Sequence, residues 1–139
     1  MKQFDLSLYL VTDRHCLRGR DFYEAVEEAL RAGVTLLQLR EKELGMEELL
    51  AEGEKVKALC RKYKVPFLVD DNVEAAKILG ADGVHLGQED EAIQKARAVL
   101  GQEAIIGISA HISGDHFIGH DPAFRIDNKG TALRQTIRF

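Results

Sequence analysis

Gly33-Val34-Thr35-Leu36-Leu37-Gln38-Leu39-Arg40-Glu41-Lys42 carries three signals in one stretch. A glycine suited to end a helix comes first. An apolar run of strand length, Val34 to Leu39, follows it and leads at once into a charged cluster. Alternation along a strand puts Gln38, Arg40 and Lys42 on one side. If that side faces the interior of a closed sheet, an amide and two cations converge on one spot. Arginine offers a planar fork and lysine a point charge, a combination that matches a diphosphate. The competing arrangement is a strand-end ion pair with Glu41 or Glu43.

The same unit repeats on both sides of this stretch. Upstream, Leu6 to Val11 reads as a strand, and Asp21 caps a helix reaching Ala32 with Phe22, Val26, Ala29 and Leu30 on one face. Downstream, a helix is expected from Met46 to Tyr63, weakened slightly by Gly53. Pro66 precedes a third strand, Phe67 to Val69. Asn72 caps a helix from Val73 to Leu79, and Gly80 closes it. Val84 to Leu86 is a fourth strand, Asp90 to Leu100 a helix, and Ile105 to Ile108 a fifth strand. Strands and helices alternating at these lengths predict right-handed βαβ units and a parallel sheet. The pattern stops near His111, and residues 112–139 show no convincing strand or helix.

The chain has 139 residues, 45% apolar and 30% charged, with a net charge of -4. That suits one globular domain and argues against nucleic acid or an anionic membrane as partner. The first residues have neither the charge nor the apolar length of a signal peptide or a membrane span. Cys16 and Cys60 form no CxxC pair and read as reduced thiols. A cytoplasmic location is the expectation from both observations.

Each expected strand runs into a polar cluster: Thr12-Asp13-Arg14, Arg40-Glu41-Lys42, Asp70-Asp71-Asn72, Gly87-Gln88-Glu89-Asp90 and Ser109-Ala110-His111. In a parallel array all these ends lie on one side, where such folds hold their active sites. Loops are often polar for no further reason, but those at the opposite ends carry less charge. Asp70, Asp71 and Asp90 offer carboxylates from neighbouring strand ends, which suits Mg²⁺. Helix capping is the plainer role for such residues. Ser109 can hold a phosphate oxygen or be an ordinary loop serine. His85 reads as a packed, hydrogen-bonded histidine, since nothing near it in sequence supplies a nucleophile. His111, His116 and His120 with Asp115 and Asp121 match no metal-ligand spacing.

With these motifs in hand, the chain resembles the thiamine phosphate synthase/TenI superfamily. The matching stretches are LYLVTDR (8–14), GVTLLQLREK (33–42), VPFLVDD (65–71), GADGVHLGQED (80–90) and IIGISAH (105–111). The resemblance implies an α/β fold: an incomplete TIM (β/α)₈-type barrel with about five parallel strands over residues 1–111, then an atypical tail, 112–139, for which disorder is one expectation. It implies a transferase of thiamine biosynthesis, joining hydroxymethylpyrimidine diphosphate to a thiazole phosphate. Gln38, Leu39, Arg40, Glu41, Lys42, Asp70 and Ser109 would then bind substrate, and Asp71 and Asp90 would hold Mg²⁺. Small phosphorylated molecules are the implied partners. Asp70 departs from the family's usual asparagine and brings an acceptor-only carboxylate. The family's later phosphate-binding loops are not recognisable after His111, and Lys129 and Thr131 receive no role. The loss of pattern reads as a truncation or frameshift, so a shortened, inactive synthase is one expectation. A non-catalytic TenI-like or phosphate-ligand-binding protein is the alternative, and a phosphate-binding βα enzyme with a convergent rim a third reading. Five strands would leave two open sheet edges, through which copies could associate.

Overall fold

The computed structural model describes residues 3–87, 90–110, 124–127 and 136–138, with side-chain surroundings described for residues 3–87 and 92–109. The expected alternation forms: β1 (Tyr9–Val11), α1 (Phe22–Ala32), β2 (Leu36–Leu39), α2 (Met46–Lys62), β3 (Phe67–Asp70), α3 (Val73–Leu79), β4 (Gly83–Leu86), α4 (Asp90–Leu100) and β5 (Ile105–Ala110). A 3₁₀ turn, Arg14–Cys16, follows β1. The caps act as expected. The Asp21 side chain accepts from the backbone N of Glu24, and Asn72 accepts from that of Ala75. The first strand is shorter than its apolar run, because only Tyr9–Val11 pairs with β2.

β1 to β5 lie in chain order, each parallel to the next, which makes them one wall of a TIM-type barrel. The segment after His111 differs from expectation. It supplies β6 (Phe124–Asp127), parallel to β5, and β7 (Thr136–Arg138), parallel to β1. The edges of β1 and β5 that were expected to be open are therefore paired, and the sheet ends on β6 and β7.

Alternation sorts the strand residues into two cores. Leu10, Leu37, Leu39, Val69, Val84 and Ile106 pack with the apolar faces of the helices. Tyr9, Val11, Leu36, Leu68 and Ile105 form a second cluster on the inner face. Gly83 shares that inner parity, and a Cβ there would sit 1.8 Å from the Ile105 carbonyl oxygen. Only glycine allows β4 and β5 to approach so closely. Gly53, unfavourable for a helix in isolation, lies where a Cβ would meet Leu79 Cδ1 at 2.5 Å, so it lets α2 and α3 pack.

Candidate functional site

The C-termini of β1 to β5 open on one rim, and the polar clusters gather there. A cavity of about 380 Å³, lined by Phe4, Val34, Lys64 and Pro66 among others, lies at the opposite ends of the strands. Polar chemistry marks the rim.

Gln38 is buried on the inner face, and its Nε2 donates to Tyr9 Oη at 2.6 Å. Arg40 follows two residues on. Its backbone N donates to Thr12 Oγ1 at 3.0 Å, tying the end of β2 to that of β1. Lys42 Nζ lies 2.6 Å from Asp70 Oδ2 and 2.7 Å from Asp71 Oδ2. The strand-end pairing thus runs to the β3 carboxylates rather than to Glu41 or Glu43. Burial opposes the Lys42 ammonium, but hydrogen bonds and charge from Asp70 and Asp71 outweigh it and hold its pKa above the usual lysine value. Burial lifts the Asp70 carboxyl above the ordinary aspartate range. Asp71 adds to that lift, while Lys42 and Arg40 pull against it.

Asp71 sits in a tight turn with φ of 57°, a left-handed conformation that aspartate tolerates better than bulkier residues. Its backbone N donates to the His85 carbonyl at 2.8 Å, which fixes the turn against β4. The Asp71 side chain is 57% exposed, so its hard oxygen donors are accessible to a cation. Asp90 begins α4, but its side chain lies outside the described residues, as do Gln88, Glu89 and all atoms of His111, His116, His120, Asp115 and Asp121. Among the described residues no group of three or more His, Cys, Asp or Glu is placed to hold a metal.

Ser109 lies within β5, and its Oγ is 2.9 Å from His85 Nε2. His85 is thus bonded as well as packed. Leu39 points the other way: its side chain is buried between sheet and helices. Glu41 also turns from the rim. It accepts from Arg14 Nε at 2.9 Å, while Arg14 Nη2 donates to Glu52 at 2.5 Å. Arg14 also stacks 4.3 Å from the centre of the Phe22 ring.

Glu52 is the residue that sequence reading overlooked. It falls with Leu49, Gly53, Val56 and Cys60 on the buried stripe of α2, and a charge on such a stripe is a readable signal. Its Oε1 is buried with no hydrogen-bond partner among the described residues. Burial, then a hydrogen bond and repulsion from Glu52, raise the Glu41 carboxyl from 4.5 to about 7, against the pull of Arg14. A carboxyl raised on folding stabilises the fold fully below its unfolded value, and that contribution is lost as pH rises from about 4.5 through about 7. Glu41→Gln is therefore expected to remove this falling slope and to leave the variant more stable than the parent above pH 7. Urea midpoints across that range test it, and an unchanged slope would refute the raised Glu41 carboxyl.

A parallel βα wall with its polar groups gathered at the strand C-termini places the chain among TIM-type barrel proteins. The family model described as thiamine monophosphate synthase matches residues 8–116. The chain is 41% identical to the thiamine-phosphate synthase of Clostridium acetobutylicum, over 95% of this chain and 67% of that protein. That match continues beyond residue 111. The thiamine-phosphate synthase of Campylobacter jejuni is 50% identical over 77% of this chain and 51% of its own length. Among solved structures, the thiamine phosphate pyrophosphorylase of Pyrococcus furiosus superposes with a TM-score of 0.66 at 40% identity, over 76% of this chain and 50% of that one. The chain belongs to the thiamine phosphate synthase/TenI family. It spans about half to two-thirds of the length of these relatives.

Proposed function

We propose that the rim binds the diphosphate end of a small phosphorylated substrate. In this reading the chain serves the transferase reaction of thiamine biosynthesis, joining hydroxymethylpyrimidine diphosphate to a thiazole phosphate with release of diphosphate. The observation that carries it is the convergence of opposite charges on neighbouring strand ends. Lys42 stands between Asp70 and Asp71, and Arg40 acts electrostatically on Asp70 from the end of β2.

Gln38, Arg40, Lys42 and Ser109 would hold and orient the substrate, with Asp70 restraining Lys42. Leu39 would contribute backbone alone, and Glu41 would support the β2 loop through Arg14. The donor chemistry of Asp71 and Asp90 suits Mg²⁺, which would add positive charge next to the leaving diphosphate. A cationic pocket of this kind lowers the barrier by neutralising and positioning the leaving group, without a general base.

Calorimetry with magnesium diphosphate tests the binding. The parent protein is expected to bind, and Arg40→Ala and Lys42→Ala each to weaken binding at least about tenfold, the scale of a charge-assisted hydrogen bond. Unchanged affinity in both variants would remove the reading. Supplying both substrates with Mg²⁺ and watching for thiamine phosphate then separates a transferase from a non-catalytic phosphate-ligand-binding protein.

No described helix is long and apolar enough to cross a membrane. The unpaired Cys16 and Cys60 suit a reducing compartment, and we place the protein in the cytoplasm on that ground. Self-association would proceed through the outer edges of β6 and β7, and the mass in solution checks it.

A further inference from the structure

We infer that His85 is a positioning residue: with Tyr9 behind it, it fixes the direction of the Ser109 hydroxyl so that its hydrogen faces the rim. This deepens the reading of the rim as a diphosphate pocket and rests on it. The four side chains come from four strands. Gln38 (β2) donates through Nε2 to Tyr9 Oη (β1) at 2.6 Å. Tyr9 Oη faces His85 Nδ1 (β4) at 3.5 Å, and His85 Nε2 lies 2.9 Å from Ser109 Oγ (β5).

The proposed order starts from the Gln38 bond: the Tyr9 oxygen receives the amide hydrogen, and its own hydrogen goes to the nitrogen it faces, His85 Nδ1. Burial raises the Tyr9 hydroxyl far above the ordinary tyrosine value, so it keeps the hydrogen it donates. An Nδ1 that accepts leaves the neutral ring's hydrogen on Nε2. Nε2–H then donates to Ser109 Oγ. A serine oxygen that has received one hydrogen turns its own hydrogen elsewhere, and an anionic phosphate oxygen at the rim is an acceptor for it.

Burial and the backbone hold these groups in place. Tyr9 is fully buried and His85 is 5% exposed, so neither side chain wanders among rotamers in water. The turn that carries Asp71 is hydrogen-bonded to the His85 backbone, so the ring and the carboxylate rim share one anchor. In the reverse order, Gln38 would accept from Tyr9, His85 would carry its hydrogen on Nδ1, and Ser109 would donate to Nε2. The serine hydrogen would then be used up inside the wall, and Ser109 could not donate to a substrate.

Two measurements decide between these orders. Long-range ¹H–¹⁵N spectra of the parent protein report the His85 tautomer without any substitution. Nε2–H is expected, and Nδ1–H overturns the relay. Calorimetry with magnesium diphosphate supplies the second. Ser109→Ala and His85→Leu are each expected to weaken binding about tenfold, with no further loss in the double variant, because both remove one donated hydrogen bond. His85→Gln, which keeps an N–H near the Nε2 position, is expected to restore affinity to within about threefold of the parent. Full affinity in His85→Leu beside a weakened Ser109→Ala overturns the positioning role while leaving the pocket intact. No binding by the parent protein overturns the pocket reading, and the role of Ser109 with it; the spectra still judge the hydrogen-bond order.

Discussion

Gly83→Ala is expected to lower the unfolding free energy by at least about 3 kcal/mol, the upper part of the range for overpacking a filled core. The added methyl would sit 1.8 Å from the Ile105 carbonyl oxygen, and that neighbour is backbone, not a side chain that can swing aside. Ile105 pairs directly with Gly83, and the backbone N of Ile105 donates to the Asp82 carbonyl at 2.9 Å. Relieving the clash therefore means parting β4 from β5 and losing ladder hydrogen bonds. For a domain of this size the melting temperature should fall by roughly 10 °C or more. Gly87→Ala is the control, since a Cβ there meets nothing within 4 Å among the described residues. Its midpoint should stay close to the parent's. If both variants melt together, β4 and β5 do not approach as described.

Arg14→Met is expected to cost about 3 kcal/mol at pH 8 and less than half of that at pH 5. Arg14 bridges two carboxylates whose side chains are only 6% and 5% exposed. Removing one partner from a buried ionic group leaves uncompensated charge, which typically costs about 3–5 kcal/mol. Arg14 itself is 40% exposed, so the lower end of that range applies. The pH dependence carries a definite sign. The Glu41 carboxyl is raised to about 7, and without arginine to oppose it the shift would grow. Acid therefore rescues the variant. Adding Glu52→Gln should recover much of the loss at pH 8. Denaturant titrations at the two pH values check both points. A loss that is the same at pH 5 and pH 8 would mean that packing on Phe22, rather than charge, explains the role of Arg14.

The five βα units were legible because each strand is an apolar run that passes into a polar cluster, and each helix carries punctuation such as Asp21 or Asn72. The inward position of Gln38 followed from alternation alone, since the period of a strand allows little else. The strands of residues 124–127 and 136–138 were not legible. FRID and TIR are short and partly charged, and what makes them strands is pairing with β5 and β1, far away in sequence. Lys42 shows the same limit. Its charge pointed to the rim, but nothing local distinguished Glu41 and Glu43 from the β3 carboxylates it contacts. Tyr9 was hidden for a different reason. Within an apolar run it reads as core, and only its fully buried hydroxyl, placed against Gln38, reveals a second duty.

The inner face of the wall changes character along its axis. Leu36 gives way to Gln38 two residues on, Leu68 to Asp70, and Ile105, past Gly107, to Ser109. Strength is lodged near the entering ends of the strands and chemistry near the leaving ends. A lineage drifting under selection can therefore retune its ligand by exchanging residues at the leaving ends while the greasy floor below keeps the wall upright. Tyr9 is the exception, because one large side chain rooted in the floor reaches up to the chemistry. Where most positions are free to evolve separately, that tyrosine is answerable to both ends at once.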